Sequence, residues 1–215
     1  MSTVLLLHGD ARIAESLREL IDNTPGFKVF GIADSLSKAR ELLARGTPDL
    51  LLTDLTLPDG KAQTLLSQLR SNGRGDDPQL IVLAMSADDP QLMDALCHGA
   101  DAYFTPSRSP EALISTMRQV LNGESPIAPS IAREITAHFN AVAWDQTDFV
   151  GESQNPLRLA DADELLLQMT ADGFLVSEVA QALQTGVHAV GVRTRNIYRK
   201  LQFDVRADAL TLLAA

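Results

Sequence analysis

Along the first 121 residues short apolar runs alternate five times with amphipathic stretches, and no other feature restricts the fold more. The apolar runs are Val4–Leu7, Val29–Ile32, Leu50–Thr53, Leu80–Ala84 and Ala102–Phe104. Between them Ala11–Asn23, Ser35–Ala44, Ala62–Ser71, Pro90–His98 and Pro110–Leu121 carry the period of helices. Nearly continuous apolar strands need cover on both faces, which helices packed on a parallel sheet provide. The fold class that follows is α/β, a (βα)5 doubly wound parallel sheet. Its chemistry is expected in the crevice at the carboxyl ends of the strands.

The third run delivers a carboxylate to that edge. In Asp49-Leu50-Leu51-Leu52-Thr53-Asp54-Leu55-Thr56-Leu57-Pro58-Asp59-Gly60 an apolar strand ends at Asp54 and a Pro/Gly turn follows. Spacing alone allows two roles for Asp54: a reacting group in the crevice, or a cap on the turn. With Gly99-Ala100-Asp101-Ala102-Tyr103 beside the fifth run, the Asp54 motif and the strand order resemble a response-regulator receiver domain. The resemblance covers residues 1 to about 121 without gaps.

That resemblance implies aspartyl phosphorylation at Asp54, with a Mg²⁺ ion held by two acids that follow the first strand. Here His8 and Gly9 occupy those positions, and Asp10 falls one place beyond. The hydroxyl position on the fourth strand is Ala84, with Ser86 two residues further on. The lysine position is Pro106, which offers neither charge nor N–H. A transferring phosphoryl group needs charge neutralisation, and Mg²⁺ needs oxygen ligands. The expectation is therefore a degenerate receiver with a silent Asp54 and no Mg²⁺ or other cofactor. A looser loop would instead bring Asp10 to Asp54 and restore a metal site. Tyr103 stands at the switch-aromatic position, and Ala84 leaves room for a permanently inward rotamer with a fixed, active-like surface.

A second resemblance runs from Leu159 to Leu212. Ala171-Asp172-Gly173, Ser177-Glu178-Val179-Ala180, Leu183, Val190, Val192 and Asn196-Ile197-Tyr198-Arg199-Lys200-Leu201 are similar to the LuxR-type helix-turn-helix that follows receivers in the NarL/FixJ class. The implied organisation is a receiver over 1–122, a linker over 123–156 and a small all-α four-helix DNA-binding domain over 157–215. Ile131, Ile135, Phe139 and Val142 give the linker a helix at about 128–142, and Trp144–Pro156 has the composition of a tether. The second helix of the motif is expected over Val176–Gln184 and the recognition helix over Val187–Gln202. A last helix, Arg206–Leu213, is expected to close the core, to form a dimer face, or both.

Relatives of this kind present Thr-Val-Lys-x-His to the groove, where this chain has Ala189-Val190-Gly191-Val192-Arg193. Glycine removes the lysine contact and costs about 1 kcal/mol relative to alanine inside a helix. Val192, Arg193, Arg195, Asn196, Arg199 and Lys200 remain as the candidate DNA-binding set. Arg193, Arg195 and Asn196 suit base edges, while Arg199 and Lys200 suit phosphates.

Charge tempers that expectation. The net charge is −10, divided as −5 over residues 1–122, −4 over 123–156 and −1 over 157–215. Double-stranded DNA normally meets a basic face. Three functions stay open: a transcription regulator that is independent of phosphorylation, a conventional Asp54-phosphorylated regulator, and an adaptor that binds protein rather than DNA. The first implies a homodimer on two half-sites, with the receiver free to dock a protein partner. No apolar stretch reaches membrane-span length, so no membrane partner and a cytoplasmic location are expected. The lone Cys97 lies on an apolar helix and reads as packing, and the scattered His8, His98, His138 and His188 give no enzyme constellation.

Overall fold

A computed structural model describes residues 1–71, 77–105, 109–145 and 159–213, with 142–145 and 206–213 as backbone only. The chain divides into two compact units, Met1–Asn122 and Gly123–Ala215.

The first unit runs β1 (Ser2–Leu7), α1 (Ala11–Asp22), β2 (Phe27–Ala33), α2 (Leu36–Leu43), β3 (Leu50–Asp54), β4 (Thr56–Leu57), β5 (Gly60–Lys61), α3 (Ala62–Ser71), β6 (Gln79–Leu83), α4 (Pro90–Cys97), β7 (Ala102–Phe104) and α5 (Pro110–Leu121). Five strands form a parallel sheet in the order β2-β1-β3-β6-β7. The chain reverses its direction of winding between β1 and β3, and that switch point opens a crevice at the strand ends. The apolar runs are buried as their continuity requires: Val4 to Leu7, Leu50, Leu51 and Leu80 to Val82 are all at 0 % exposure.

Side chains finish what the strands begin. The Asp10 carboxylate caps α1 by accepting from the amides of Arg12 (2.8 Å) and Ile13 (3.3 Å). Asp59 caps α2 from the β4–β5 hairpin, accepting from Leu36 N–H at 2.8 Å and Ser37 N–H at 2.9 Å. Those two amides hold the Asp59 carboxyl below its ordinary pKa. Arg70 on α3 pairs with the buried Asp101, which also accepts from Leu80 N–H, so α3, β6 and the turn before β7 are tied together. Gly99 in that turn sits at φ +126°, and a Cβ there would stand 2.7 Å from Arg70 Cγ. Only glycine fits both the turn and the arginine.

The second unit contains α6 (Pro129–Asp145), α7 (Asp161–Ala171), α8 (Val176–Ala182) and α9 (Val187–Leu213). Its core gathers Ile131, Ile135 and Phe139 with Leu166, Val179, Val190, Ile197, Tyr198 and Leu201. Two expectations need correction. The linker helix spans Pro129–Asp145 and is built into this unit, with Arg133 Nη2 donating to the Ala171 carbonyl at 2.9 Å. The recognition helix does not stop at Gln202 but continues to Leu213. No glycine or proline interrupts it, and Asp204, 1 % exposed, anchors it to His138 Nε2 on α6 at 2.7 Å. The dimer helix expected at Arg206–Leu213 is therefore the end of α9, and its side chains, like the tether at 146–158, lie outside the described residues. Among the described residues no helix is long and apolar enough to cross a membrane.

Breaking the Arg70–Asp101 pair strands a buried guanidinium and the Leu80 amide. Asp101→Ala is expected to lower the unfolding free energy of the receiver by roughly 3–5 kcal/mol in urea titration. A loss under about 1 kcal/mol would show that the pair is not the brace.

Candidate functional site

Register builds the receiver crevice. In the β1–β3 ladder Leu7 faces Thr53, so the next residues, His8 and Asp54, come side by side at the sheet edge. His8 Nδ1 lies 3.3 Å from Asp54 Oδ2, and Gly9 N–H points to the same oxygen at a long 3.5 Å. Asp10 N–H donates to His8 Nδ1 at 3.0 Å. One ring nitrogen cannot accept from Asp10 and donate to Asp54 together, so the two contacts belong to different protonation states. A proton on Nδ1 joins His8 to Asp54. Its loss gives the lone pair to Asp10 N–H.

Burial raises the Asp54 carboxyl above its ordinary pKa, against the opposing pull of His8 and Gly9 N–H, and nearby Asp10 adds to the rise. The Asp10 carboxylate is turned away into its helix cap, and those backbone amides lower its own pKa. Asp10 is thus spent on structure rather than brought to Asp54. Among the described residues no group of three or more His, Cys, Asp or Glu side chains could hold a metal ion.

The other receiver positions fall where the strands put them. Ala84 is buried (2 %) and its N–H donates to the Phe104 carbonyl at 3.0 Å. Ser86 is exposed, and its hydroxyl accepts from Asp88 N–H at 2.9 Å. Tyr103 lies inward on β7 at 6 % exposure, opposite Val82. Pro106 lies outside the described residues.

On α9 the candidate DNA-binding residues separate into groups. Asn196 and Arg199 are exposed, and Val192 is half-buried. Arg193 Nη1 and Lys200 Nζ each bond one oxygen of Asp163 on α7 at 2.8 Å. Burial alone would push the Asp163 carboxyl up, but the bonds from Lys200 and Arg193 outweigh it and hold the carboxyl below its ordinary pKa. Arg195 is buried at 3 % exposure, which overturns its expected role on a base edge. Sequence reasoning missed Asp163, since an acid in a helical first turn reads as a dipole partner. It also missed the connector residue Glu124, whose carboxylate lies 2.9 Å from His188 Nδ1.

Comparison with known proteins agrees with this layout. The response regulator receiver domain family matches residues 4–118. The transcriptional regulatory protein YdfI of Bacillus subtilis is 24 % identical over 212 residues, covering 99 % of this chain and 95 % of the relative. The nitrate/nitrite response regulator NarL of Escherichia coli K12 is 23 % identical over 208 residues, covering 97 % and 93 %. The structure of RcsB from Salmonella enterica serovar Typhimurium, bound to a promoter with the phosphomimetic BeF3⁻, superposes with a TM-score of 0.54 at 18 % identity. That superposition covers 94 % of this chain and 92 % of RcsB, and at this identity it speaks for the fold alone.

The raised pKa of Asp54 has a stability signature. A folded value above the ordinary one makes the ionised carboxylate a net burden at neutral pH, and the burden fades as pH falls through that raised value. Asp54→Asn is expected to raise the thermal midpoint at pH 7, with the gain gone below about pH 4. A gain that persists at low pH in differential scanning calorimetry would point to packing instead.

Proposed function

We propose, from the premise that this chain belongs to the response regulator receiver family and is a response regulator of the NarL/FixJ class, that it is a DNA-binding transcription regulator whose receiver works without phosphorylation. The observation that carries this reading is His8 against Asp54, with the Asp10 carboxylate committed to α1. A metal at this edge would have to gather oxygen ligands around Asp54. His8 brings a nitrogen, Gly9 no side chain, and Asp10 a carboxylate already holding two amides. These residues do not fit Mg²⁺. A protonated His8 can supply part of the positive charge that a metal would bring to Asp54. The receiver then acts as a dimerisation or protein-docking module with an inward Tyr103, in a cytoplasmic protein.

On the DNA side, exposed Asn196 and Arg199 support base and phosphate contact by α9. A second reading has its own observation. Asp163 neutralises Arg193 and Lys200, Arg195 is buried, and Phe174, Leu175 and Val176 ahead of α8 are 46–67 % exposed. A helix-turn-helix face with few available cations and several exposed apolar residues also suits an adaptor that binds protein.

Two experiments test the proposal. Incubation with a small-molecule phosphodonor and Mg²⁺ is expected to leave the intact mass unchanged, and Asp54→Ala to keep its oligomeric state and DNA affinity. A phosphoryl adduct lost in Asp54→Ala would restore the conventional phosphoswitch. On DNA selected by the protein itself, Asn196→Ala should cost about 1–3 kcal/mol on the cognate sequence only. Arg199→Ala should weaken all sequences and reduce the salt slope by about 1 per half-site. Binding that is absent at every salt concentration would favour the adaptor.

A further inference from the structure

The connector that follows α5 lies along α9 within the second unit. Ser125 N–H donates to the Gly191 carbonyl at 3.0 Å. The Tyr198 hydroxyl, on a side chain at 0 % exposure, donates to the Pro126 carbonyl at 2.6 Å. The Glu124 carboxylate pairs with His188 Nδ1 at 2.9 Å. A Cβ on Gly191 would stand 2.9 Å from Glu124 Cβ and 3.1 Å from its Cγ and Oε2. His188, Gly191 and Tyr198 share one stripe of α9 with the buried Arg195, at the i, i+3, i+7, i+10 spacing of a helix face.

We propose that Glu124-Ser125-Pro126 is an intramolecular occupant of the DNA-reading stripe, and that tight DNA binding requires this segment to leave. The proposal rests on the DNA-binding reading above. It gives Gly191 a purpose that helix propensity denies it. A lysine, or any side chain, at 191 meets Glu124, whereas glycine is a notch that admits it. The occupant also brings a carboxylate and a backbone donor to the helix face where DNA would bring phosphates and base edges. Glu124 lies three residues beyond Leu121, the last residue of α5, with Gly123 at φ +83° between them. A shift at the end of α5 therefore reaches the plug through very little chain.

The test uses the full chain and DNA selected by the wild-type protein. Gly191→Ala places a methyl against Glu124. Tyr198→Phe removes one bond and keeps the ring in the core, and Glu124→Gln removes the charge and keeps the shape. In each variant the Ser125 amide is expected to exchange faster with solvent, and DNA to bind more tightly, by about tenfold in Gly191→Ala. Faster exchange with unchanged or weaker DNA binding would overturn the plug and leave the DNA-binding reading standing. Unchanged exchange in all three variants would overturn it too. Faster exchange with no DNA bound by wild type or variants would remove the DNA-binding reading, and the plug with it. If Gly191→Ala does not fold, Tyr198→Phe and Glu124→Gln decide by the same criteria.

Discussion

Leu7 faces Thr53 across the β1–β3 ladder, and the same register sets His8 beside Asp54 one residue later. Slipping it by a residue would turn Leu6 and Leu52 out of the core, so the buried leucines hold His8 in place far more strongly than its own contacts do. The edge chemistry is consequently decided by which side chain follows the first strand. With imidazole there, the crevice stabilises its carboxylate through a proton, and the electrostatic balance of the site becomes a matter between two neighbours. The next residue, Asp10, might have rejoined the chemistry, yet it faces the unpaired amides of α1. Two such bonds outweigh a loose approach to a second carboxylate, which would add repulsion.

A comparable competition shapes the second unit. Asp163 draws Arg193 and Lys200 onto α7, and Glu124 draws His188 to the connector. The recognition helix therefore spends much of its polar capacity on its own chain before any ligand arrives. That helps a protein of net charge −10 keep a stable helix-turn-helix, because cations bound to internal acids do not repel one another. It also raises the selectivity demanded of any partner, which must offer more than these acids already provide.

The receiver was almost wholly legible, because continuous leucine and valine runs have one economical arrangement and their ends fall within about two residues of the strands observed. The β4–β5 hairpin was not, since two-residue strands carry no period. Asp10 could have been placed from its position just ahead of an amphipathic run, the ordinary signal of an N-cap. Arg195 could not: on a helix with Asn196 and Arg199 it reads as exposed, and its burial depends on what folds against that stripe. Gly191 was legible only as a missing lysine. What fills the notch comes from a segment more than sixty residues away, a separation that no local pattern reports. The break expected after Gln202 came from resemblance, whereas the residues themselves contain no breaker.

The unbroken α9 turns the second unit into something with mechanical reach. At 1.5 Å per residue its 27 residues form a rod about 40 Å long. One point along it is clamped to α6 through Asp204 and His138, and its other end carries His188 and Gly191. A rotation of about 5° over that full length would move the far tip by roughly 3–4 Å, more than the length of a hydrogen bond. Small adjustments where α6 grips the rod are thus amplified at its tip, and a kinked or two-piece helix would absorb them.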